Sequence, residues 1–242
     1  MRKCHNSYKR KAAVKVPKAK TRDHELVEKS KLLMVEDFEA RTKNQKEYVR
    51  SISENTVTMV TGPAGTGKTC VAVGMACYYL SEGIVDKILI TRPMVQCGRN
   101  GGGLGYLKGD LKDKFMPFMI PVIEEIEYFL GPYETRNLIE KNIIQILPLE
   151  LMKGKNIKKT FMICDEAENC EYEQLKMFLT RICDGSKCVL SGDIAQTDIN
   201  KCNFITFLDK LEDLNGVGII ELGIEDIQRH GIVGKILGRL ES

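Results

Sequence analysis

The sequence predicts an α/β domain in which a parallel sheet is flanked by helices on both faces. Short apolar runs, typical of buried strands, alternate with helical segments of about 10–15 residues. A Gly-rich loop joins the first strand to the helix after it. The chain has 242 residues and 43% hydrophobic content, which is enough for one core of this kind. We therefore expect a single core domain over residues 23–242, preceded by a separate tail over residues 1–22.

The tail is strongly basic. Its 22 residues include nine Lys and Arg and no acid, so the rest of the chain carries a net negative charge. Such a segment buries too little apolar surface to fold alone, and we expect it to be flexible and disordered. It could serve as an arm that contacts nucleic-acid phosphates without sequence preference, or as a solubilising tail.

The elements of the core follow from hydrophobic periodicity. Residues 23–55 have a charged, helical pattern that ends where the first strand begins. The predicted strands are 56–60, 87–91, 143–147, 160–164, 187–190 and 218–222. The predicted helices are 68–81, 114–130, 171–183, 204–214 and 226–240, and the Gly-rich stretch 94–113 is predicted to be irregular.

Composition argues against several classes of protein. No apolar run approaches the ~20 residues that a membrane helix needs. The N-terminus lacks the apolar segment of a secretory signal, so we expect a cytoplasmic protein. The nine cysteines include no CxxC pair, which argues against a zinc site, and their odd number favours reduced thiols.

The loop after the first strand fits the pattern GxxxxGK[ST], placed between a strand and a helix as a phosphate-binding loop (P-loop) requires. Glycines let the backbone wrap a phosphate, and the helix N-terminus adds a favourable dipole. We expect Lys68 to reach the β- and γ-phosphates of ATP, and the Thr69 hydroxyl to bind Mg²⁺. The predicted nucleotide-binding residues of the loop are Gly62, Pro63, Ala64, Gly65, Thr66, Gly67, Lys68 and Thr69.

Two acids complete the predicted site. The apolar run 161–164 ends in Asp165 and Glu166. Asp165 is expected to hold Mg²⁺, and Glu166 to orient or deprotonate the attacking water, which favours hydrolysis over phosphoryl transfer to another substrate. After the next strand, Gln196 in the segment 191–196 is placed to sense the γ-phosphate or the water.

These motifs resemble the core of superfamily 1 helicases and, more closely, the PhoH-like family of phosphate-starvation ATPases, over roughly residues 40–240. The resemblance implies a RecA-like P-loop NTPase domain that hydrolyses ATP and has a link to RNA. It also implies that Asn44-Gln45 matches the Gln motif that reads adenine in such helicases. Besides the P-loop, the matching segments are Thr91-Arg92-Pro93, 104–111, 165–169, 174–181, Gly192-Asp193 with Gln196 and Asp198, and Asp226 with Arg229-His230.

The sequence departs from the family pattern at three places. Glu168 stands where the family usually has Gln. The stretch 152–155 carries lysines where the family usually has arginines, and Lys cannot make the planar bidentate contact of Arg. Residues 97–103 are unusually rich in glycine. These changes affect polymer contacts and coupling rather than ATP binding.

Several residues are candidates for contact with RNA or single-stranded DNA. Arg92 directly follows a strand, close to where such ATPases touch a single strand. Tyr106 could stack on a base or pack within its loop. Further basic candidates, each of which could equally be an ordinary surface residue, are Lys108, Lys112, Lys114 and, beside Thr180, Arg181.

Three functions are compatible with these motifs. An ATPase acting on RNA or single-stranded DNA fits best, and a regulatory switch with a protein partner is an alternative. A small-molecule kinase fits less well because no lid segment is recognisable. Helicases of superfamily 1 bind ATP between two RecA-like domains, whereas this chain has room for one. We therefore expect a homo-oligomeric, hexameric ring in which a neighbouring subunit supplies a catalytic arginine. Arg229 is the candidate, with a surface salt bridge to Asp226 or Glu225, or a nucleic-acid contact, as the alternatives.

Overall fold

The sheet has six parallel strands. The structure, a computed structural model, describes residues 32, 34–94, 111–194, 203–228 and 239. The strand order is β3-β2-β4-β5-β1-β6, and every neighbouring pair is parallel. The strands are β1 Val57–Thr61, β2 Lys87–Thr91, β3 Ile144–Ile146, β4 Thr160–Cys164, β5 Lys187–Gly192 and β6 Val217–Glu221.

Helices cover both faces of this sheet, as predicted. Along β4, Phe161 and Ile163 belong to one apolar cluster, whereas Met162 and Cys164 belong to the other. This alternation with a period of two shows that β4 is buried on both faces. The helices are α1 Lys43–Glu54, α2 Lys68–Ser81, α3 Leu111–Leu130, α4 Pro132–Glu140, α5 Tyr172–Leu179 and α6 Asn203–Leu211, with 3₁₀ turns at Leu149–Met152, Ala167–Asn169 and Ile224–Asp226.

The first helix begins later than the sequence predicted. The helical pattern was expected from residue 23, but residues 34–42 are not helical and α1 starts at Lys43. Thr42 caps it, because its hydroxyl accepts a hydrogen bond from the Gln45 N–H at 3.1 Å. The preceding segment instead packs on α3, where the Val35 N–H donates to the Phe129 carbonyl at 2.8 Å.

Other predictions about helices also need correction. The helix α4 was not predicted, although Gly131 with positive φ followed by Pro132 at the first helical position is a start signal. The helix predicted over 171–183 ends at Leu179, because Ile182 leaves it to pair with Ile157. The predicted closing helix 226–240 does not start at Asp226, which ends a 3₁₀ turn, and residues 227–228 are not helical. Its residues 229–238 and 240 lie outside the described residues, as does the tail.

The strand ends bring the predicted motifs together. The strands β1, β4 and β5 end at the same edge of the sheet, followed respectively by the P-loop, Asp165 and Asp193. The three strands are neighbours in the sheet, with β5 between β1 and β4. In an open parallel sheet, ligands bind beyond the carboxyl ends of the strands, which is where these residues lie. Among the described residues, no helix is long and apolar enough to cross a membrane.

Candidate nucleotide-binding site

The P-loop has a backbone that only glycine accommodates readily. Gly62, Gly65 and Gly67 have φ angles of 151°, 85° and 87°. A Cβ at Gly62 would collide with the Leu222 carbonyl. Gly67 also begins α2 without any side-chain cap, so the first N–H groups of this helix stay available to an anion. This cradle fits a phosphate group.

Lys68 lies across the loop that precedes it. Its ammonium donates to the carbonyls of Gly62 at 2.5 Å and Pro63 at 2.9 Å. Burial lowers the pKa of Lys68, and the negative charges of Asp193, Glu168 and Asp165 oppose that shift. The site therefore places a partly desolvated cation where it can meet phosphate oxygens.

Thr69 and Asp165, the two residues predicted to hold Mg²⁺, lie in contact. Asp165 Oδ1 accepts hydrogen bonds from the hydroxyls of Thr69 at 3.1 Å and Ser191 at 2.8 Å. These are hard oxygen donors beside a phosphate cradle, the combination that Mg²⁺ takes in nucleotide sites. The residues therefore fit a magnesium ion held by Thr69 and Asp165.

Glu166 has the backbone conformation of a constrained residue. Its φ is 56°, in the left-handed region that a residue with a Cβ rarely adopts. Such conformations cost free energy and occur often at functional sites. The side chain is 43% exposed and points into the cavity beside the Arg92 guanidinium, with Nη1 and Oε1 3.3 Å apart.

Arg92 lies mostly buried in the candidate nucleotide site, and its predicted contact with a single strand stays a prediction. Its guanidinium donates to Asp165 Oδ2 through Nη2 at 2.5 Å and Nε at 2.9 Å. The register of the two strands explains this contact: Thr91 pairs with Cys164, so the residues that follow them, Arg92 and Asp165, are neighbours. Burial opposes the charge of Arg92, but Asp165 and Glu166 outweigh it and raise its pKa.

Gln45 and Asn44 hold the loop structure around the cradle. The buried Gln45 amide donates to the Thr66 carbonyl at 3.0 Å, and its oxygen accepts from the Arg41 N–H at 2.8 Å. Asn44 donates to Asp226 Oδ2 at 2.8 Å. Gln45 also lines the cavity. Its predicted contact with adenine stays a prediction.

Glu168, which stands where the family usually has Gln, lies inside the site. Burial is the main cause that raises the pKa of Glu168 to about 7, and the nearby Glu166 and Asp165 add to it. A Cβ on Gly192 would approach Glu168 Oε2 to 2.9 Å. Gly192 therefore leaves the space that this carboxyl group occupies.

These residues surround a cavity of about 880 Å³, a volume typical of a small-molecule site. It extends beyond the P-loop to a wall that the sequence did not predict, which is formed by α3 and residues 36–41. Glu125, Tyr128 and Arg41 belong to this wall. Glu125 and Tyr128 are three residues apart, so both lie on the same side of α3. That side faces the cavity because α3 packs along α2, and the sequence alone does not show this packing.

The remaining candidates do not join the site within the described residues. Gln196, Arg229, Lys108 and Tyr106 lie outside those residues, and for Lys112 and Lys114 only the helical backbone is described. Arg181 lies at the opposite edge of the sheet, where its backbone carbonyl accepts from the N–H of Ile157, just before β4 begins.

Known proteins similar in sequence to this chain share one family description. The model of the family described as PhoH-like protein matches residues 37–241. A PhoH-like protein of Bacillus subtilis is 40% identical over 200 residues, which cover 81% of this chain and 62% of that protein. A PhoH-like protein of Synechocystis is 36% identical over 228 residues, covering 92% of this chain and 69% of the relative.

Among solved structures, the large terminase of a thermophilic bacteriophage matches with a TM-score of 0.54 and 13% identity. The match covers 84% of this chain and 50% of the terminase chain. At this level of identity the likeness concerns the fold alone. It agrees with the fold described above.

Proposed function

Because the chain belongs to the PhoH-like protein family, we propose that it is an ATPase that hydrolyses ATP to ADP and phosphate with Mg²⁺. One observation carries this proposal. A glycine-built phosphate cradle, a Thr69–Asp165 pair and a constrained Glu166 meet at one edge of the sheet. The acid beside the cradle favours water as the acceptor of the phosphoryl group.

Each residue has a distinct role in the proposed reaction. The P-loop N–H groups and Lys68 bind the β- and γ-phosphates. Glu166 orients a water molecule and accepts its proton as the water oxygen bonds to the γ-phosphorus and the bond to the β-phosphate oxygen breaks. A magnesium ion at Thr69 and Asp165 would supply positive charge to the phosphates. Gln196 is proposed to sense the γ-phosphate or the water.

Phosphate release and nucleotide binding in two variants test the proposal. Lys68→Ala should abolish hydrolysis and weaken ATP binding, because the cation that meets the phosphates is gone. Glu166→Gln should keep ATP binding while turnover falls by about 100-fold or more, because the amide cannot take the proton. Glu173→Gln, at an exposed site on α5, is the matched control. Unchanged hydrolysis in Lys68→Ala, or lost binding in Glu166→Gln, would overturn the assignment.

We further propose that hydrolysis is coupled to RNA or single-stranded DNA. The support is the basic segment 1–22 and the resemblance to helicase motifs. Single-stranded RNA should raise the rate of phosphate release. Deletion of residues 1–22 should reduce the affinity for RNA and flatten its salt dependence, because fewer counterions are released. If affinity and salt slope stay the same, the tail is not a nucleic-acid arm.

The same assay separates the alternative functions. An ATPase releases phosphate without any added acceptor. A kinase would release it only slowly and would need a second substrate, and a regulatory switch would bind ATP with little turnover. Phosphate release at a steady rate from ATP and Mg²⁺ alone would therefore exclude both alternatives.

A further inference from the structure

The helix α3 runs along the nucleotide cavity from its phosphate end. The Phe118 carbonyl accepts a hydrogen bond at 2.8 Å from Arg92, whose guanidinium also binds Asp165. Two turns further along, Glu125 lies beside Cys70, the residue that follows Thr69 on α2. From Phe118 to Glu125 the helix rises about 10 Å, and to Tyr128 about 5 Å more. Successive residues of α3, among them Pro121, Glu125 and Tyr128, thus line successive parts of the cavity.

Glu125 marks a change in the chemistry of the cavity. Glu125, Arg41 and Cys70 all line this cavity, and Glu125 forms a side-chain hydrogen bond with the Cys70 thiol. Glu125 and Arg41 therefore flank the first turn of α2, just past the residues that hold the phosphates.

A carboxylate at this position suits a hydroxyl group and not a phosphate. An ionised carboxylate only accepts hydrogen bonds, and its two oxygens match two neighbouring hydroxyls. Dinucleotide-binding proteins use an Asp or Glu in the same way, to bind a ribose hydroxyl. In a nucleotide whose phosphates lie in the P-loop, the group that follows the α-phosphate is the ribose.

We propose that Glu125 binds the ribose of the nucleotide by accepting hydrogen bonds from its 2′- and 3′-hydroxyls, and so makes the site selective for ribonucleotides. The inference rests on the proposed ATP site and adds the part of the substrate that α3 recognises. It gives Glu125 a binding role that is separate from the acids that act on the phosphates.

Calorimetric binding of ADP and 2′-deoxy-ADP tests this without any turnover. The unmodified protein should bind ADP about 10-fold or more tightly than 2′-deoxy-ADP, because one hydrogen bond to a charged group contributes about that much to affinity. Glu125→Ala should reduce this preference to about 2-fold or less, because ADP then loses two hydrogen bonds to the carboxylate whereas 2′-deoxy-ADP loses only the one from its 3′-hydroxyl. Glu125→Gln keeps an acceptor oxygen and should retain part of the preference.

Glu124→Ala is the matched control, since Glu124 is the adjacent acid on α3 but is exposed and does not line the cavity. It should keep the full preference for ADP. Equal binding of both nucleotides to the unmodified protein, or an undiminished preference in Glu125→Ala, would overturn the ribose assignment while the nucleotide site stands. If the unmodified protein binds neither nucleotide, the proposed ATP site fails, and the ribose assignment fails with it.

Discussion

At Glu168, burial acts on a carboxyl group that lies beside the end of β5. The side chain is 5% exposed, and its pKa is raised to about 7, mainly by burial. A carboxyl group with a raised pKa in the folded protein binds its proton more tightly there than in the unfolded chain. Its contribution to stability is therefore complete below about pH 4.5 and is lost as the pH rises through about 7.

Glu168→Gln should consequently become more stable, relative to the unmodified protein, as the pH rises. The amide resembles the neutral acid and does not titrate. The difference in the free energy of unfolding should grow between about pH 5 and pH 7.5, towards roughly 3 kcal/mol. Urea unfolding in the presence of a chelator and without nucleotide measures this. Glu173→Gln at an exposed site should show no such trend, and a constant difference for Glu168→Gln would contradict the prediction.

The residues of the site that the sequence predicted lie in continuous motifs, and those it missed are brought together by packing. Lys68 and Thr69 lie within one continuous motif, so their spacing along the chain determines their positions. The place of Arg92 depends on the pairing of Thr91 with Cys164 across two strands, which a linear pattern does not contain. Glu125 depends on packing between two helices, which is one step further from the sequence.

Among the secondary-structure elements, α1 connects the site to the far edge of the sheet. Its first turn carries Asn44 and Gln45, which bind the 223–226 turn and the P-loop. At its other end, the Lys187 ammonium donates to the carbonyls of Ser53 at 2.9 Å and Asn55 at 2.6 Å. Lys187 thus satisfies carbonyls at the end of α1 and places positive charge at its C-terminus.

Lys187→Met should destabilise the protein by about 1–3 kcal/mol, because it leaves these carbonyls without the charged donor. Urea unfolding of the variant gives the value. Lys87→Met is a matched control, since Lys87 begins the parallel strand β2 but is exposed, and its replacement should change stability by less than about 0.5 kcal/mol. Equal effects of the two substitutions would show that the Lys187 contacts do not stabilise α1.

How accurately each helix or strand was predicted depends on how many apolar residues it buries. The limits of α2, β2 and β4 match the prediction because their apolar runs are continuous and bounded by polar residues. By contrast, α4 buries only Thr135 and Leu138, so its apolar pattern is too weak to stand out. The start of α1 was wrong because Val35 and Phe38 are apolar residues of a non-helical segment that contact Phe129 of α3, and an apolar residue at such a spacing is equally typical of a helix.

For the whole molecule, the nucleotide site raises the question of what faces the γ-phosphate. The described chain forms one sheet, whereas helicases with two RecA-like domains bind ATP between them. The segment before Arg229 is anchored on the P-loop, since the Gln228 N–H donates to the Gly65 carbonyl at 3.0 Å. Asp226 Oδ2 binds Asn44 and the Gly223 N–H, and Oδ1 is buried without a hydrogen-bond partner in the described part of the chain.

We predict that Arg229 acts on the γ-phosphate of a neighbouring subunit in a ring, where such an arginine is worth about 10³–10⁵ in rate. Arg229→Ala and Lys68→Ala should each be inactive alone. In mixed rings, some interfaces join an intact P-loop to an intact arginine. For equal, random mixing, about a quarter of the interfaces should do so, and ATPase activity should return to about that fraction.

The control mixes Arg229→Ala with the double variant Lys68→Ala/Arg229→Ala, in which intact P-loops are present but no Arg229 remains. That mixture should stay inactive, because every interface lacks the arginine. Native mass measurement of differently tagged subunits establishes that mixed rings form in both experiments. If the first mixture also stays inactive although its rings are mixed, Arg229 does not act across a subunit boundary, since a residue required only within its own subunit cannot be supplied by a neighbour.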